Sequence, residues 1–248
     1  MGLTLLKNLD FFLHPLRLAT LPVVANAPIV DGNDNTLPLV VFSHGLSGML
    51  DIYSYQTVSL AANGSVVLTL THTDGSASVV AQPDGKFVPH DNSVIKLCPL
   101  ENVQYADRRR QQTEYRAQEL LKAAEYLMDV KNKRQGGDAL AQTLHPYLRR
   151  VRSDHTVFMG HSFGGASALT ASLRHPGTVK AVIAFDPVVD WMSRDVAQAL
   201  LLKERMDGLK HGYTDYAGGL DLSEPSKKTL HDQHLLIMNS GDWYNKNW

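Results

Sequence analysis

The sequence contains a single cysteine, Cys98, in 248 residues. One thiol cannot form an internal disulfide, and it has no partner cysteine for a zinc site of the usual kind. Excess charge is also absent, because the formal net charge is -1 at pH 7. Such a balance leaves no surplus to hold nucleic acid or an anionic membrane by electrostatics alone. We therefore expect no nucleic-acid partner, no metal and no cofactor, and the sequence predicts no oligomeric state.

Long apolar runs are missing too, since no stretch approaches the roughly 20 apolar residues that a membrane-spanning helix needs. The most apolar segment lies within residues 1–30, where Asp10, His14, Pro15 and Arg17 interrupt the leucines and phenylalanines. These interruptions argue against a signal peptide. We expect residues 1–30 to pack on the body of the protein or on a lipid surface, and the protein to be cytoplasmic rather than secreted.

What the sequence does contain is an alternation of strand-like apolar runs and helix-period segments. The predicted strands are residues 37–42, 66–70, 156–159, 179–185 and 235–238, and the predicted helices are residues 52–62, 107–130, 139–150, 164–173 and 191–202. Residues 75–102 lack a steady period and predict a long loop. The basic clusters at 108–110 and 149–152 are interpreted as solvated helix faces. This alternation predicts one α/β domain over residues 1–248, with a mostly parallel sheet and helices on both faces.

A G-x-S-x-G motif occupies residues 160–164, as Gly160, His161, Ser162, Phe163 and Gly164. It lies between an apolar strand and a helix rich in small residues, which is the context of a nucleophile elbow. Glycine is required at both ends because a side chain would collide across the tight turn. The motif therefore predicts that Ser162 is the nucleophile of an acyl-transfer reaction.

Attack on an ester creates an oxyanion, which needs backbone N–H donors. The N–H of Phe163, the residue after the nucleophile, is one expected donor, and the loop after an earlier strand supplies the other. We assign the second to Leu46, in the loop that follows residues 37–42. His44, in the same loop, is expected to pack beneath it rather than act as a base.

In α/β domains that carry this elbow, the serine works with an acid and a histidine base as a catalytic triad. The acid and the base follow the serine along the chain. Asp186 ends the predicted strand 179–185 in the expected place, and Asp242, after strand 235–238, is the alternative acid. Neither His72 nor His90 is favoured as the base, although both lie on predicted loops. No histidine follows Asp242, so we expect the triad histidine, with the last strand and helix of the fold, to be missing from a C-terminally truncated chain.

Several segments together resemble the platelet-activating factor acetylhydrolases of plasma and of cytosolic type II. They are LPLVVFSHGL at 37–46, THTDGSAS at 71–78, GHSFGG at 160–165, the strand ending at Asp186, and IMNS at 237–240. The resemblance implies an α/β-hydrolase that cleaves short or oxidised sn-2 acyl esters of phospholipids without calcium, as a 1-alkyl-2-acetylglycerophosphocholine esterase. It also implies Ser162 as nucleophile, Asp186 as acid, and Leu46 and Phe163 as oxyanion donors.

Two departures from that family leave other functions open. The region of residues 191–233 is longer and more polar than the corresponding region of the family. The family's catalytic histidine lies in a part of the sequence that we do not find in these 248 residues. A generic carboxylesterase or lipase of the same fold is one alternative, and a catalytically dead scaffold that binds lipid or protein is another. Family members also associate peripherally with lipid surfaces, for which the segment from Leu3 to Leu18 is a candidate.

Overall fold

Within the described residues, five parallel strands form the central sheet. A computed structural model describes residues 20–24, 27–28, 32–82, 84–91, 103–132, 138–206 and 234–240. The strands of the sheet are β1 (Leu37–Ser43), β2 (Val66–Leu70), β5 (Val151–His161), β6 (Ala181–Phe185) and β7 (His234–Met238). They lie in the order β2-β1-β5-β6-β7. Their runs of valine, leucine and isoleucine suit parallel strands that are covered on both faces.

Five α-helices are described beside this sheet. They are α1 (Ser54–Ala62), α2 (Val103–Asn132), α3 (Ala139–Leu148), α4 (Phe163–Arg174) and α5 (Arg194–Met206), with short 3-10 turns at Leu50–Tyr53 and Val189–Trp191. The Asp138 carboxylate caps α3 by accepting a hydrogen bond from Ala141 N at 2.8 Å. Among the described residues, no helix combines the length and the apolar character needed to cross a membrane.

The two faces of β1 show how the helices are distributed. Leu39 and Val41 pack with buried residues of α2 and α4, whereas Val40 and Phe42 pack on the opposite side with Leu60 of α1. The alternation follows from the period-2 geometry of a strand. Helices therefore cover both faces of a parallel sheet, which confirms the predicted α/β-hydrolase class.

Helix α2 is longer than predicted and buries charge as well as apolar side chains. Its apolar stripe recurs at helical spacing and is buried at Ala117, Leu120, Leu121, Ala124, Leu127 and Val130. Arg109 and Arg116 on the same helix are also buried, with 1% and 0% exposure. The prediction that cluster 108–110 is a solvated face is therefore wrong for Arg109, because α2 packs this side chain against three aromatic rings.

Two other expectations differ from the described structure. The sequence predicts a loop over residues 75–102, yet β3 (Val79–Ala81) and β4 (Phe87–Pro89) form an antiparallel pair within them. In the segment 1–30, residues 20–24 are exposed, and Ala27 O accepts a hydrogen bond from the Tyr147 hydroxyl of α3 at 3.0 Å. The predictions for residues 1–19, for Asp242 and for the other residues outside the described ranges stay untested.

Candidate active site

The carboxyl ends of four neighbouring strands lie side by side. Ser43 of β1 pairs with Gly160 of β5, His161 of β5 pairs with Phe185 of β6, and Phe185 pairs with Met238 of β7. The loops after these strands consequently meet at one edge of the sheet. In open parallel sheets this edge is where ligands bind.

Ser162 occupies a sharp turn between β5 and α4, with φ 54° and ψ -116°. Its N–H donates to Phe185 O at 2.8 Å. The flanking glycines are required by contact: a methyl group at Gly160 would lie 2.4 Å from the carbonyl of Gly164, and one at Gly164 would lie 2.1 Å from Ser43 O. The elbow geometry expected of the motif is thus present at residues 160–164.

Unusual backbone conformations concentrate around this turn. Among the described residues other than glycine, Asn35, Ser47, Ser162 and Asp186 have positive φ, and the last three lie in the loops at the carboxyl edge. Each such residue costs roughly 1–3 kcal/mol and persists only where its surroundings impose it. Three of them at one edge favour a functional role for that edge.

The loop after β1 presents one backbone donor that its neighbours do not use. Gly45 N donates to the Tyr53 hydroxyl at 3.1 Å, Ser47 N to Ser76 O at 2.8 Å, and Gly48 N to Gly45 O at 3.1 Å. No acceptor for the Leu46 N–H is found in the described part of the chain. Phe163 N–H is at the first position of α4, where intrahelical acceptors are lacking. Within the described residues neither of these two backbone donors has an acceptor, so both are available to an anion.

Asp186 follows β6 and is tied to the loop after β7. Its N–H donates to Met238 O at 2.8 Å, and its carboxylate accepts a hydrogen bond from Ser240 N. Val188 N in turn donates to Ser162 O at 3.3 Å, which fixes the Asp186 loop to the elbow. The alternative acid, Asp242, lies outside the described residues.

His161 and Tyr53 connect the elbow to the loop after β1. The Tyr53 hydroxyl, which accepts from Gly45 N, lies 2.8 Å from His161 Nδ1. Burial lowers the pKa of His161, and the charge of Asp186 opposes that shift. Tyr53 therefore holds two of the loops of the site in a fixed relation.

His44 and His72 lie completely buried beneath the site. His44 hydrogen-bonds to Gly45 O and accepts from His72 N, as the expectation that it packs under the loop requires. His72 bonds to Ser43 Oγ at 2.7 Å and to Glu119 Oε2 at 2.6 Å. Within the described residues, no side chain hydrogen-bonds to the Ser162 hydroxyl, so neither histidine is placed as its base.

Sequence reasoning missed Arg116 and Glu119 of α2, which bond to the loops from below. Arg116 donates to His44 O at 2.8 Å, and Glu119 accepts from Thr73 N at 3.2 Å as well as from His72. Their spacing from Arg109 and Gln112 is 3 or 4 residues at each step, so a polar stripe of helical period was the available signal.

Comparison with known proteins agrees with this geometry. The sequence profile of platelet-activating factor acetylhydrolase, isoform II, matches residues 8–202. The platelet-activating factor acetylhydrolase of Canis lupus familiaris is 31% identical over 176 residues, which are 66% of this chain and 37% of the relative. That of Bos taurus is 28% identical over 196 residues, which are 73% of this chain and 42% of the relative.

Among solved structures, a ferulic acid esterase from Streptomyces cinnamoneus matches with a TM-score of 0.44 and 22% identity, covering 65% of this chain and 38% of that one. The chain spans about two fifths of the length of the curated relatives it matches. Because the family profile extends over residues 8–202, the chain belongs to the platelet-activating factor acetylhydrolase, isoform II, family.

Proposed function

We propose that this chain carries the nucleophile of a serine esterase that hydrolyses the sn-2 acetyl or other short acyl ester of phospholipids. The observation that carries the proposal is Ser162 itself, held at positive φ on a strand-to-helix turn beside the Leu46 and Phe163 N–H groups, for which the described residues supply no acceptor. Membership of the acetylhydrolase family supports the choice of substrate class.

In the proposed reaction the Ser162 oxygen attacks the sn-2 carbonyl carbon and passes its proton to a general base. The carbonyl oxygen becomes an oxyanion and accepts hydrogen bonds from Leu46 N–H and Phe163 N–H. The bond from the acyl carbon to the glycerol oxygen then breaks, and the lysophospholipid leaves with a proton. Water hydrolyses the acyl-serine, which releases acetate and restores the Ser162 hydroxyl. One oxyanion donor of this kind typically contributes about 10²–10³-fold in rate.

The role proposed for Asp186 is to orient and stabilise the protonated base. Its carboxylate lies in the loop that is hydrogen-bonded to the elbow, so a base located between this loop and Ser162 contacts both groups. We do not assign that base to His44 or His72, because both are committed to buried hydrogen bonds. The reaction as proposed uses no calcium.

The test is fluorophosphonate labelling of the purified chain, with acetate release from a short-chain sn-2 phospholipid measured in EDTA. Ser162→Ala should abolish labelling and turnover, whereas Ser59→Ala, at an exposed serine of α1, should leave both unchanged. A folded wild-type chain that neither labels nor turns over would refute the proposal for this chain.

A comparison of a phospholipid with a water-soluble ester distinguishes the phospholipid esterase from the generic carboxylesterase. We expect kcat/KM for the phospholipid to exceed that for p-nitrophenyl acetate, both measured on one unlabelled preparation whose active-site concentration is known from fluorophosphonate titration of a separate aliquot. A preference for the soluble ester would leave Ser162 as nucleophile and overturn the assignment of substrate class.

A further inference from the structure

Arg116 of α2 places a fully buried guanidinium beneath the loop that follows β1. Its Nη1 donates to His44 O at 2.8 Å, its Nη2 to Ser76 Oγ at 2.5 Å, and its Nε lies 3.2 Å from the Asp74 carboxylate. Burying a guanidinium is costly unless hydrogen bonds and a counter-ion compensate it. Asp74, at 2% side-chain exposure, is that counter-ion.

The bonds around His44 determine where the Leu46 N–H points. His44 Nε2 accepts from His72 N–H at 3.1 Å, so Nδ1 carries the ring proton and donates to Gly45 O at 2.7 Å. In a planar trans peptide the C=O and the following N–H point in opposite directions. Fixing Gly45 O on the inner side of the loop therefore directs the Leu46 N–H outward.

The same guanidinium contacts the elbow. Its central carbon lies 4.2 Å from the centre of the Phe163 ring, in cation–π geometry. Next to Phe163, Gly164 lies against the carbonyls of Ser43 and His44, where no side chain fits. One buried group thus touches both segments that carry the free N–H donors.

We propose that Arg116 is a positioning residue that sets the direction and spacing of the Leu46 and Phe163 N–H donors. It acts by holding the His44 carbonyl on one side and the Phe163 ring on the other. This inference rests on the proposed function, since the two donors are those assigned to the oxyanion. Arg116 itself contacts no reacting atom, so its removal should affect the transition state more than substrate binding.

The test compares Arg116→Met with Arg109→Met, which is a matched control. Arg109 is also buried on α2 and lies 5.8 Å from the Phe163 ring, but its guanidinium hydrogen-bonds to Gln112 of the same helix. Both variants remove a buried positive charge. Of the two, Arg116 bonds to the loop that carries Leu46.

For Arg116→Met we expect kcat per fluorophosphonate-titrated site to fall by about 100-fold with KM changed less than about threefold, as for partial loss of an oxyanion donor. Affinity for a trifluoromethyl ketone transition-state analogue should fall in parallel. Arg109→Met should change kcat less than about threefold. Equal kcat values per titrated site in the two variants would overturn the inference.

Arg116→Lys keeps the proposal testable if the methionine variant does not fold. Its single ammonium can pair with Asp74 or bond to His44 O, but it cannot reproduce the planar fork. We expect an intermediate loss of kcat, about tenfold, and none for Arg109→Lys. Wild-type kcat in Arg116→Lys would contradict a positioning role.

Hydrogen exchange separates this inference from the proposed function. Amide exchange in peptides covering residues 43–48 should accelerate at least about tenfold in Arg116→Met and remain unchanged in Arg109→Met. If the wild type shows no turnover, the proposed function fails, and exchange alone decides whether Arg116 orders the loop. Unchanged exchange in residues 43–48 would refute the inference whatever the activity.

Discussion

Gly164→Ala should be far more destabilising than Gly165→Ala, although the two residues are adjacent on α4. A methyl group at 164 would lie 2.1 Å from Ser43 O and 2.5 Å from Ser43 C, whereas one at 165 meets Pro187 Cβ at 3.2 Å. Ordinary contact requires 3.4–4 Å, so at position 164 the backbone of β1 or of α4 must move by more than about 1 Å. Neither backbone can give way independently, because β1 is paired on both sides in the sheet.

The magnitude follows from two opposing effects. Alanine is favoured over glycine by up to about 1 kcal/mol in a helix interior, and at most this gain applies to Gly164 and Gly165 in the first turn of α4. Overpacking typically costs about 1–3 kcal/mol, and the backbone-to-backbone clash at 164 belongs at or above the upper end. We expect a net loss of about 2–3 kcal/mol for Gly164→Ala and a change near zero for Gly165→Ala.

Urea unfolding followed by circular dichroism measures both values. With an m-value of about 1–3 kcal/mol/M, this loss should shift the Gly164→Ala midpoint down by about 0.7–3 M. Fluorophosphonate labelling of the folded variant should slow as well, because the loop after β1 is displaced. A Gly164→Ala midpoint equal to that of Gly165→Ala would refute the close approach between this loop and the elbow.

Three further perturbations test the buried polar contacts. Burial lowers the pKa of His44 to about 4, below the unfolded value of about 6.5. His44 therefore contributes fully to the free energy of unfolding above pH 6.5, and this contribution falls by about 3 kcal/mol towards pH 4. His44→Leu should flatten that slope in urea midpoints taken from pH 7 to pH 4, and an unchanged slope would contradict the assignment. Ser43→Ala should cost about 1–3 kcal/mol of unfolding free energy because it leaves His72 Nε2 unpaired, and an unaltered melting temperature would argue against that bond. Asp138→Ala should lower the free energy of unfolding by about 1 kcal/mol, because Ala141 N loses its capping acceptor. Urea midpoints measure this change, and an unchanged midpoint would mean that water replaces the cap.

The sequence is sufficient for the parts of the fold that depend on local pattern. Strand β2 is predicted at the bounds observed, and β1, α4 and β7 differ from prediction by one residue at one or both ends. Apolar runs and the small-residue helix indicate burial directly, and Gly160 is required by a contact with Gly164 within the same five residues. Gly164 is required by the Ser43 and His44 carbonyls instead, so the expected collision across the turn is wrong for this glycine. The position of Ser162 on its turn therefore follows from local sequence alone.

The supporting network could not be found in the same way, because its contacts join residues far apart in the chain. Arg116 meets His44 over 72 positions, and Glu119 meets His72 over 47. Charged residues are expected on the surface by default, and that expectation produced the error at Arg109. Nothing local distinguishes a charge that bonds to a loop from one that faces water.

Helix α2 illustrates the physical reason, since it performs two different tasks along one length. Its apolar stripe, from Ala117 to Val130, packs on the sheet and contributes through burial, which hydrophobic periodicity detects. Nearer its amino end the sheet has ended, and the helix faces loops whose carbonyls need donors and whose N–H and O–H groups need acceptors. Arg116, which is buried, donates to these loops, and Glu119, which is partly exposed, accepts from them. The side of α2 that serves the active site is therefore polar. Where a polar stripe continues an apolar stripe on one helix, we therefore expect its side chains to hydrogen-bond to loops. A functional site is expected beside that junction.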